Sequence, residues 1–248
     1  MRVPRSHPRY RSLRARELLA SMVDEGVADR TGLIAHGRGE AFDYFLGERT
    51  PPEARLAASV AAYRLAKARA PVISVNGNVA ALACKAVIAL AKAVPARVEV
   101  NLFHRTEKRI DLVASYMESL GGRDILGRQA AGRIPGLAQP RAKCSREGIF
   151  SADVVLVPLE DGDRAEALKK MGKLVIAIDL NPLSRTALAA NITIVDELTR
   201  AIPLLEKYVR MARKEPARHA RLVRGFDNVQ NLLSVRDRMA RNLMDAER

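Results

Sequence analysis

The sequence predicts an α/β protein: a mostly parallel sheet with helices on both faces, plus helical segments at the N-terminal and C-terminal ends. Three observations predict it. Between residues 71 and 195, five short runs rich in Val and Ile alternate with stretches of helical periodicity, the pattern of parallel strands joined by helical crossovers. These runs are short and rich in β-branched residues, the composition of strands. Each run leads into Asn, Asp, Glu or another polar group, and in an open parallel sheet ligands bind outside the carboxyl ends of the strands.

From the N-terminus, Leu13, Leu18, Leu19, Met22 and Val23 recur at helical spacing and predict a helix over 12–23. After a turn at Asp29 to Gly32, residues 32–40 read as a glycine-rich loop opening a short helix to Leu46. Pro51-Pro52-Glu53 suits a helix start, since proline is tolerated in the first turn, and Ala-rich sequence carries that helix to Arg69. Strands are predicted at 71–75, 97–102, 153–157, 174–178 and 191–195. The helices between and after them are predicted over 79–93, 106–120, 163–171, 184–190 and 197–213. The Gly-, Pro- and Arg-rich segment 121–148 is either a long functional loop or a partly ordered crossover. From Glu215 onward the chain reads as one or two terminal helices, too polar to be core on most sides. The expectation is one α/β domain over 1–248, with a helical part at 1–70, a core at 71–213 and terminal helices at 214–248.

An apolar fraction of 48% suits a globular core and excludes a disordered chain. Aromatic residues make up 4% and Trp is absent, so core volume must come from Ala, Leu, Val and Ile. No stretch approaches the roughly 18 apolar residues of a membrane span, and the Arg-rich start lacks the apolar region of a secretory signal. Cys84 and Cys144 make neither a disulfide framework nor a zinc pattern, so a cytoplasmic location is expected. Cys84 reads as a small core residue, whereas Cys144, between Lys143 and Arg146, is placed where neighbouring cations lower a thiol pKa.

The formal charge is +14, and its location decides more than its size. Residues 1–16 hold six Arg and no acid, and residues 206–248 hold eleven Lys or Arg against six acids, so the excess sits at the two ends. A nucleic-acid binder, an enzyme for phosphorylated substrates and a protein rich in surface ion pairs all fit that distribution.

The strand ends supply candidate ligand groups. Asn76-Gly77-Asn78 precedes a helix and offers either backbone N–H groups for an oxyanion or a plain helix cap. Arg105, Lys108 and Arg109, beside His104, gather three cations at a helix start, where they oppose the helix dipole and favour a bound anion. Glu160 and Asp161 come directly after the third strand. Asp179, with Leu180 and Asn181 next in the chain, can accept hydrogen bonds from a ribose or hold Mg²⁺. Gly37-Arg38-Gly39 leaves room for phosphate or is a surface turn. The Walker-type GxxxxGK[ST], GxGxxG and GxSxG patterns are all absent, and no His or Cys spacing indicates a resident metal.

Taken together, the blocks resemble the archaeal 4-phosphopantoate–β-alanine ligase (phosphopantothenate synthetase) family. The carrying segments are residues 32–48, which include Ala35-His-Gly-Arg-Gly-Glu40, and Ser74-Val-Asn-Gly-Asn-Val-Ala-Ala-Leu82. They continue with Asn101-Leu-Phe-His-Arg-Thr-Glu-Lys-Arg109, Val157-Pro-Leu-Glu-Asp-Gly-Asp-Arg164, Ala177-Ile-Asp-Leu-Asn-Pro-Leu-Ser-Arg-Thr186 and Ile192-Thr-Ile-Val-Asp196. The resemblance implies a Rossmann-like fold, a homodimer and an ATP- and Mg²⁺-dependent ligase of coenzyme A biosynthesis. It implies that 4-phosphopantoate is activated as an acyl-adenylate and then joined to β-alanine, releasing pyrophosphate and AMP. By resemblance the ATP contacts fall on Arg16, Arg38, Asp179, Leu180, Asn181, Arg185, Thr186, Glu197 and Leu198. Strand-end position puts the phosphate and carboxylate of 4-phosphopantoate near Asn76, Asn78, His104, Arg105 and Lys108, and the β-alanine ammonium near Glu160 or Asp161. The rival reading is a nucleic-acid-binding protein that uses the basic ends. The scarcity of aromatics for base stacking, the missing binding motif and the acids within the basic tail speak against it.

Overall fold

The structure, a computed structural model, describes residues 4–245. Its strands are β1 (Pro71–Val75), β2 (Arg97–Val100), β3 (Gly132–Arg133), β4 (Lys143–Cys144), β5 (Val154–Pro158), β6 (Leu174–Ile178) and β7 (Ile192–Ile194). Its α-helices are α1 (Tyr10–Asp24), α2 (Arg30–Leu46), α3 (Pro52–Lys67), α4 (Gly77–Ala93), α5 (Glu107–Ser119), α6 (Gly162–Lys170), α7 (Arg185–Ala189), α8 (Leu198–Lys214), α9 (Pro216–Arg224) and α10 (Asn228–Met244). Five strands form one parallel sheet in the order β2-β1-β5-β6-β7, and β3 pairs antiparallel with β4 beside it. The chain moves outward from β1 to β2 on one side and from β5 to β7 on the other. The order therefore reverses between β1 and β5, which is where an open parallel sheet leaves a crevice.

Period-two alternation sorts the apolar side chains onto the two faces. Ile73, Val75, Leu156, Ile176 and Ile178 meet α3, α4 and α8 through Ala57, Ala61, Leu65, Val87, Leu90, Ile202 and Leu205. Val72, Val155, Val157, Val175 and Ala177 face the opposite way, onto Ala165 and Leu168 of α6 and onto Ile134, Cys144 and Ile149. The many alanines of α3 let helix backbones approach closely, while each buried Leu or Ile contributes about 1.5–3 kcal/mol.

Some elements differ from the sequence expectation. Residues 32–40 are not a loop but the first half of α2, started by Asp29, whose side chain accepts from the Thr31 N–H, and stopped by Gly47 at φ 76°. Gly32 serves packing there: a Cβ on it would lie 2.2 Å from Asn78 Oδ1. Helix α4 begins two residues early, because Asn76 caps it through the Val79 N–H and Gly77 lies against the Val27 backbone. Segment 121–148 is compact, with Ile134, Leu137, Ala142 and Cys144 in the core. Glu99 of β2 anchors the turn after β4, accepting from Ser145 N (2.8 Å) and Ile149 N (2.7 Å). The Cys144 thiol is not lowered by its cationic neighbours in sequence: it is fully buried, and burial pushes it up to about 11, in keeping with the absence of a catalytic partner in the sequence pattern. Cys84 is a core residue of α4, pushed up to about 11 by the same cause.

The terminal helices return to the body. Leu232, Val235 and Met239 of α10 pack on Leu46 and Leu180, and Arg238 donates to both oxygens of Glu53 at 2.8 and 2.9 Å.

Candidate functional site

A cavity of about 1210 Å³ opens over the carboxyl ends of the strands. Its floor is the reversal point, where Asn76 at the end of β1 donates to Leu159 O at the end of β5 (2.8 Å). Leu159 leaves the strand with φ 51°, a left-handed conformation that non-glycine residues seldom adopt. Helix α2 and the N-terminal segment form the facing wall. Arg5, Arg9, Arg11, Arg38, Arg109 and Arg185 all line the space, so much of the positive charge at the start of the chain is directed at the cavity. Acids line it as well, among them Asp29, Glu40, Asp161, Asp163, Asp179 and Glu197, so the cavity offers groups of both signs.

One end is built from β6, α7 and α8. Asp179 accepts from Asn181 N at 2.9 Å and from the Ser184 hydroxyl, and burial raises its carboxyl pKa above the usual range. Ser184 caps α7 in turn. Thr186 donates to Glu160 O at 2.6 Å, and a Cβ on Gly162 would meet the Arg185 Cβ at 2.2 Å. The loop after β6 and the start of α6 therefore press together. Glu197 caps α8, accepting from Thr199 N at 2.8 Å, and Leu198 is buried behind it.

The other end carries carboxylates and an arginine. Arg141 pairs with Asp161 and Asp163, and its guanidinium lies 4.7 Å from the Phe103 ring centroid. His104 packs edge-on against the same ring at 4.8 Å, and its carbonyl accepts from Arg109 at 2.9 Å. Below this layer Arg164, fully buried, pairs with Glu160 and donates to Ser74 Oγ at 3.1 Å. Burial raises the Glu99 carboxyl pKa in the same layer, against the pull of its two backbone donors.

The cavity wall brings together Asn76, Asn78, His104, Glu160, Asp161, Arg38, Asp179, Leu180, Asn181, Arg185, Thr186, Glu197 and Leu198, all singled out in the sequence. Three others lie off it. Arg16 borders a smaller adjoining pocket and is spent on Glu40, with two bonds of 2.8 Å. Arg105 is buried, donating to Gly127 O at 2.7 Å. Lys108 is exposed on α5, and Arg109 is the cation of that cluster that faces the cavity. Arg141 was not legible as a site residue. It lies in the Arg-rich segment, and only the fold shows which of those arginines turns inward. Among the described residues no three His, Cys, Asp or Glu side chains gather into a metal site, and no helix is long and apolar enough to cross a membrane.

The profile of the phosphopantothenate/pantothenate synthetase family matches residues 53–242. A 4-phosphopantoate–beta-alanine ligase of Thermococcus kodakarensis is 50% identical over 248 residues, covering 96% of this chain and 94% of the relative. The enzyme of the same name from Methanosarcina mazei is 49% identical, covering 93% and 91%. That of Methanospirillum hungatei is 52% identical, covering 83% and 84%.

Proposed function

The chain belongs to the phosphopantothenate/pantothenate synthetase family, and on that basis we infer that it is a 4-phosphopantoate–β-alanine ligase of coenzyme A biosynthesis. The observation that carries the reading is a cavity of about 1210 Å³ at the sheet's reversal point with an arginine-lined wall. It exceeds the roughly 300–1,000 Å³ of a site for one small ligand, as a site for a nucleotide and two further substrates must.

In this reading ATP occupies the end formed by Arg38, Asp179, Leu180, Asn181, Arg185, Thr186, Glu197 and Leu198. The arginines neutralise charge on the triphosphate, as phosphoryl chemistry requires. A carboxylate oxygen of 4-phosphopantoate attacks the α-phosphorus, the bond to the β-phosphate breaks, and pyrophosphate leaves. The β-alanine amine then attacks the acyl carbon, the carbon–oxygen bond to AMP breaks, and the ammonium proton is lost to solvent. Arg16 supports the nucleotide end indirectly, by holding Glu40 and so the pose of α2. Of the cations expected at the phosphopantoate end, Arg109 takes that role, since Arg105 and Lys108 lie off the cavity. Asn76, Asn78 and His104 line that end directly. Mg²⁺ enters as the companion of the triphosphate, which binds it through phosphate oxygens and one or two carboxylates. The described residues hold no cage of their own for it, and no step is assigned to it. A cytoplasmic homodimer belongs to the same reading, with the exposed apolar side chains Val229, Leu233 and Leu243 of α10 as the face for the second copy.

The test is product analysis with ATP, Mg²⁺, 4-phosphopantoate and β-alanine. The reading predicts 4-phosphopantothenate and AMP in equal amounts. ADP in place of AMP refutes the adenylate route, and a folded protein that makes neither product refutes the ligase.

A further inference from the structure

We propose that Arg141, Asp161 and Asp163 form the subsite for the amino-acid substrate, the guanidinium taking its carboxylate and Asp161 its ammonium group. The proposal rests on the ligase reading and deepens it.

Arg141 is held as a recognition group is held. Its side chain is only 4% exposed, yet it reaches the cavity wall. Asn101 Nδ2 donates to the carbonyls of Arg141 (3.2 Å) and Lys143 (2.9 Å), fixing the backbone. Arg141 Nε donates to Gln139 Oε1 at 3.0 Å, and the Phe103 ring covers the guanidinium. Glu99 secures the next turn through Ser145 N and Ile149 N. A side chain locked this way meets a planar carboxylate with little further loss of freedom.

Donor count and charge select the ligand. A guanidinium has five N–H donors; Arg141 uses three, on Gln139, Asp161 and Asp163. Two N–H groups remain. Glu160 is balanced by Arg164, so Arg141 alone faces two carboxylates, and the cluster carries one surplus negative charge. Asp161 precedes α6 without capping it, and its side chain is 54% exposed. A phosphate arriving here would meet that surplus charge and be repelled. A zwitterion with closely spaced ends satisfies both needs at once, its carboxylate on the free N–H groups and its ammonium on Asp161. The Gly162–Arg185 approach and the Thr186 bond to Glu160 O set this cluster against the nucleotide end, where the activated acyl carbon forms.

The experiment measures two reactions of the full chain: phosphopantoate-dependent exchange of pyrophosphate into ATP without β-alanine, and complete turnover with each substrate varied. Arg141→Ala is expected to raise KM for β-alanine on the order of 100-fold while leaving exchange within about threefold. It should also abolish the preference for β-alanine over propylamine, which lacks the carboxylate. Arg141→Lys, which keeps the charge but not the fork, should fall between the two and serves as the readout if the alanine variant does not fold. A rise in KM for 4-phosphopantoate instead, or loss of exchange in step with turnover, overturns the proposal and assigns Arg141 to the phosphate. Absence of exchange in the unaltered protein overturns the adenylate reading itself, a distinguishable result.

Discussion

Arg200 of α8 donates through both terminal nitrogens to both carboxylate oxygens of Asp43 on α2, while its Nε bonds Asp196 at the end of β7 (2.9 Å). One guanidinium thus ties the N-terminal helices to the sheet. Asp43 and Asp196 hold Arg200 in its charged form, raising its pKa against the cost of burial.

Arg200→Met would leave Asp43 and the fully buried Asp196 facing each other without a cation. Breaking a buried pair by removing one partner typically costs about 3–5 kcal/mol. Urea unfolding is expected to show a loss in that range, and a loss below about 1 kcal/mol would mean that Arg200 acts only as a surface ion.

Glu40 supplies a pH prediction. Burial works to raise its carboxyl pKa, but hydrogen bonds from Arg16 and Tyr44 outweigh it and hold the group below the usual range. A folded pKa below the unfolded one contributes stability that is present above the unfolded value, about 4.3, and is lost as pH falls through the folded value. The Tm gap between the unaltered protein and Glu40→Gln should therefore be wide at neutral pH and close in acid below the ordinary glutamate range. A gap that stays constant across that range would contradict the account.

Glu99 accepts two backbone N–H groups, one on each oxygen. Glu99→Gln offers a single acceptor and turns its amide donors toward the second N–H. The loss is expected to be about 1–3 kcal/mol, with faster hydrogen exchange at Ser145 and Ile149 while β6 and β7 stay protected. Uniform loss of protection would show instead that the segment unfolds with the whole domain.

Asp179 organises the turn before α7 through Asn181 and Ser184. Asp179→Ala is expected to weaken ATP binding roughly 10- to 100-fold, the effect of one or two hydrogen bonds to a charged group, with little change in KM for β-alanine. Calorimetric titration showing unchanged ATP affinity in a folded variant would remove Asp179 from the nucleotide end.

The sheet was legible because its strands are short β-branched runs and its helices periodic, and these signals survive without knowledge of partners. Strand ends then indicated the sheet side of the cavity, since a parallel sheet delivers all its carboxyl ends to one edge. The features that stayed hidden depend on contacts between distant segments. Gly32, Gly37 and Gly39 look like a loop until Asn78 is seen packed against Gly32. The inward turn of Arg141 depends on Asn101, forty residues earlier in the chain. Nothing local separates Lys108, which faces solvent, from Arg109, which faces the cavity. Cys144 misled because its sequence neighbours are cations, whereas its spatial neighbours are Ile149 and the sheet.

The most direct test of the central claim is exchange of labelled pyrophosphate into ATP. The account predicts exchange that requires 4-phosphopantoate and proceeds without β-alanine, with net AMP formed only when both are present. Exchange that needs β-alanine, or label appearing through ADP and phosphate, would contradict it.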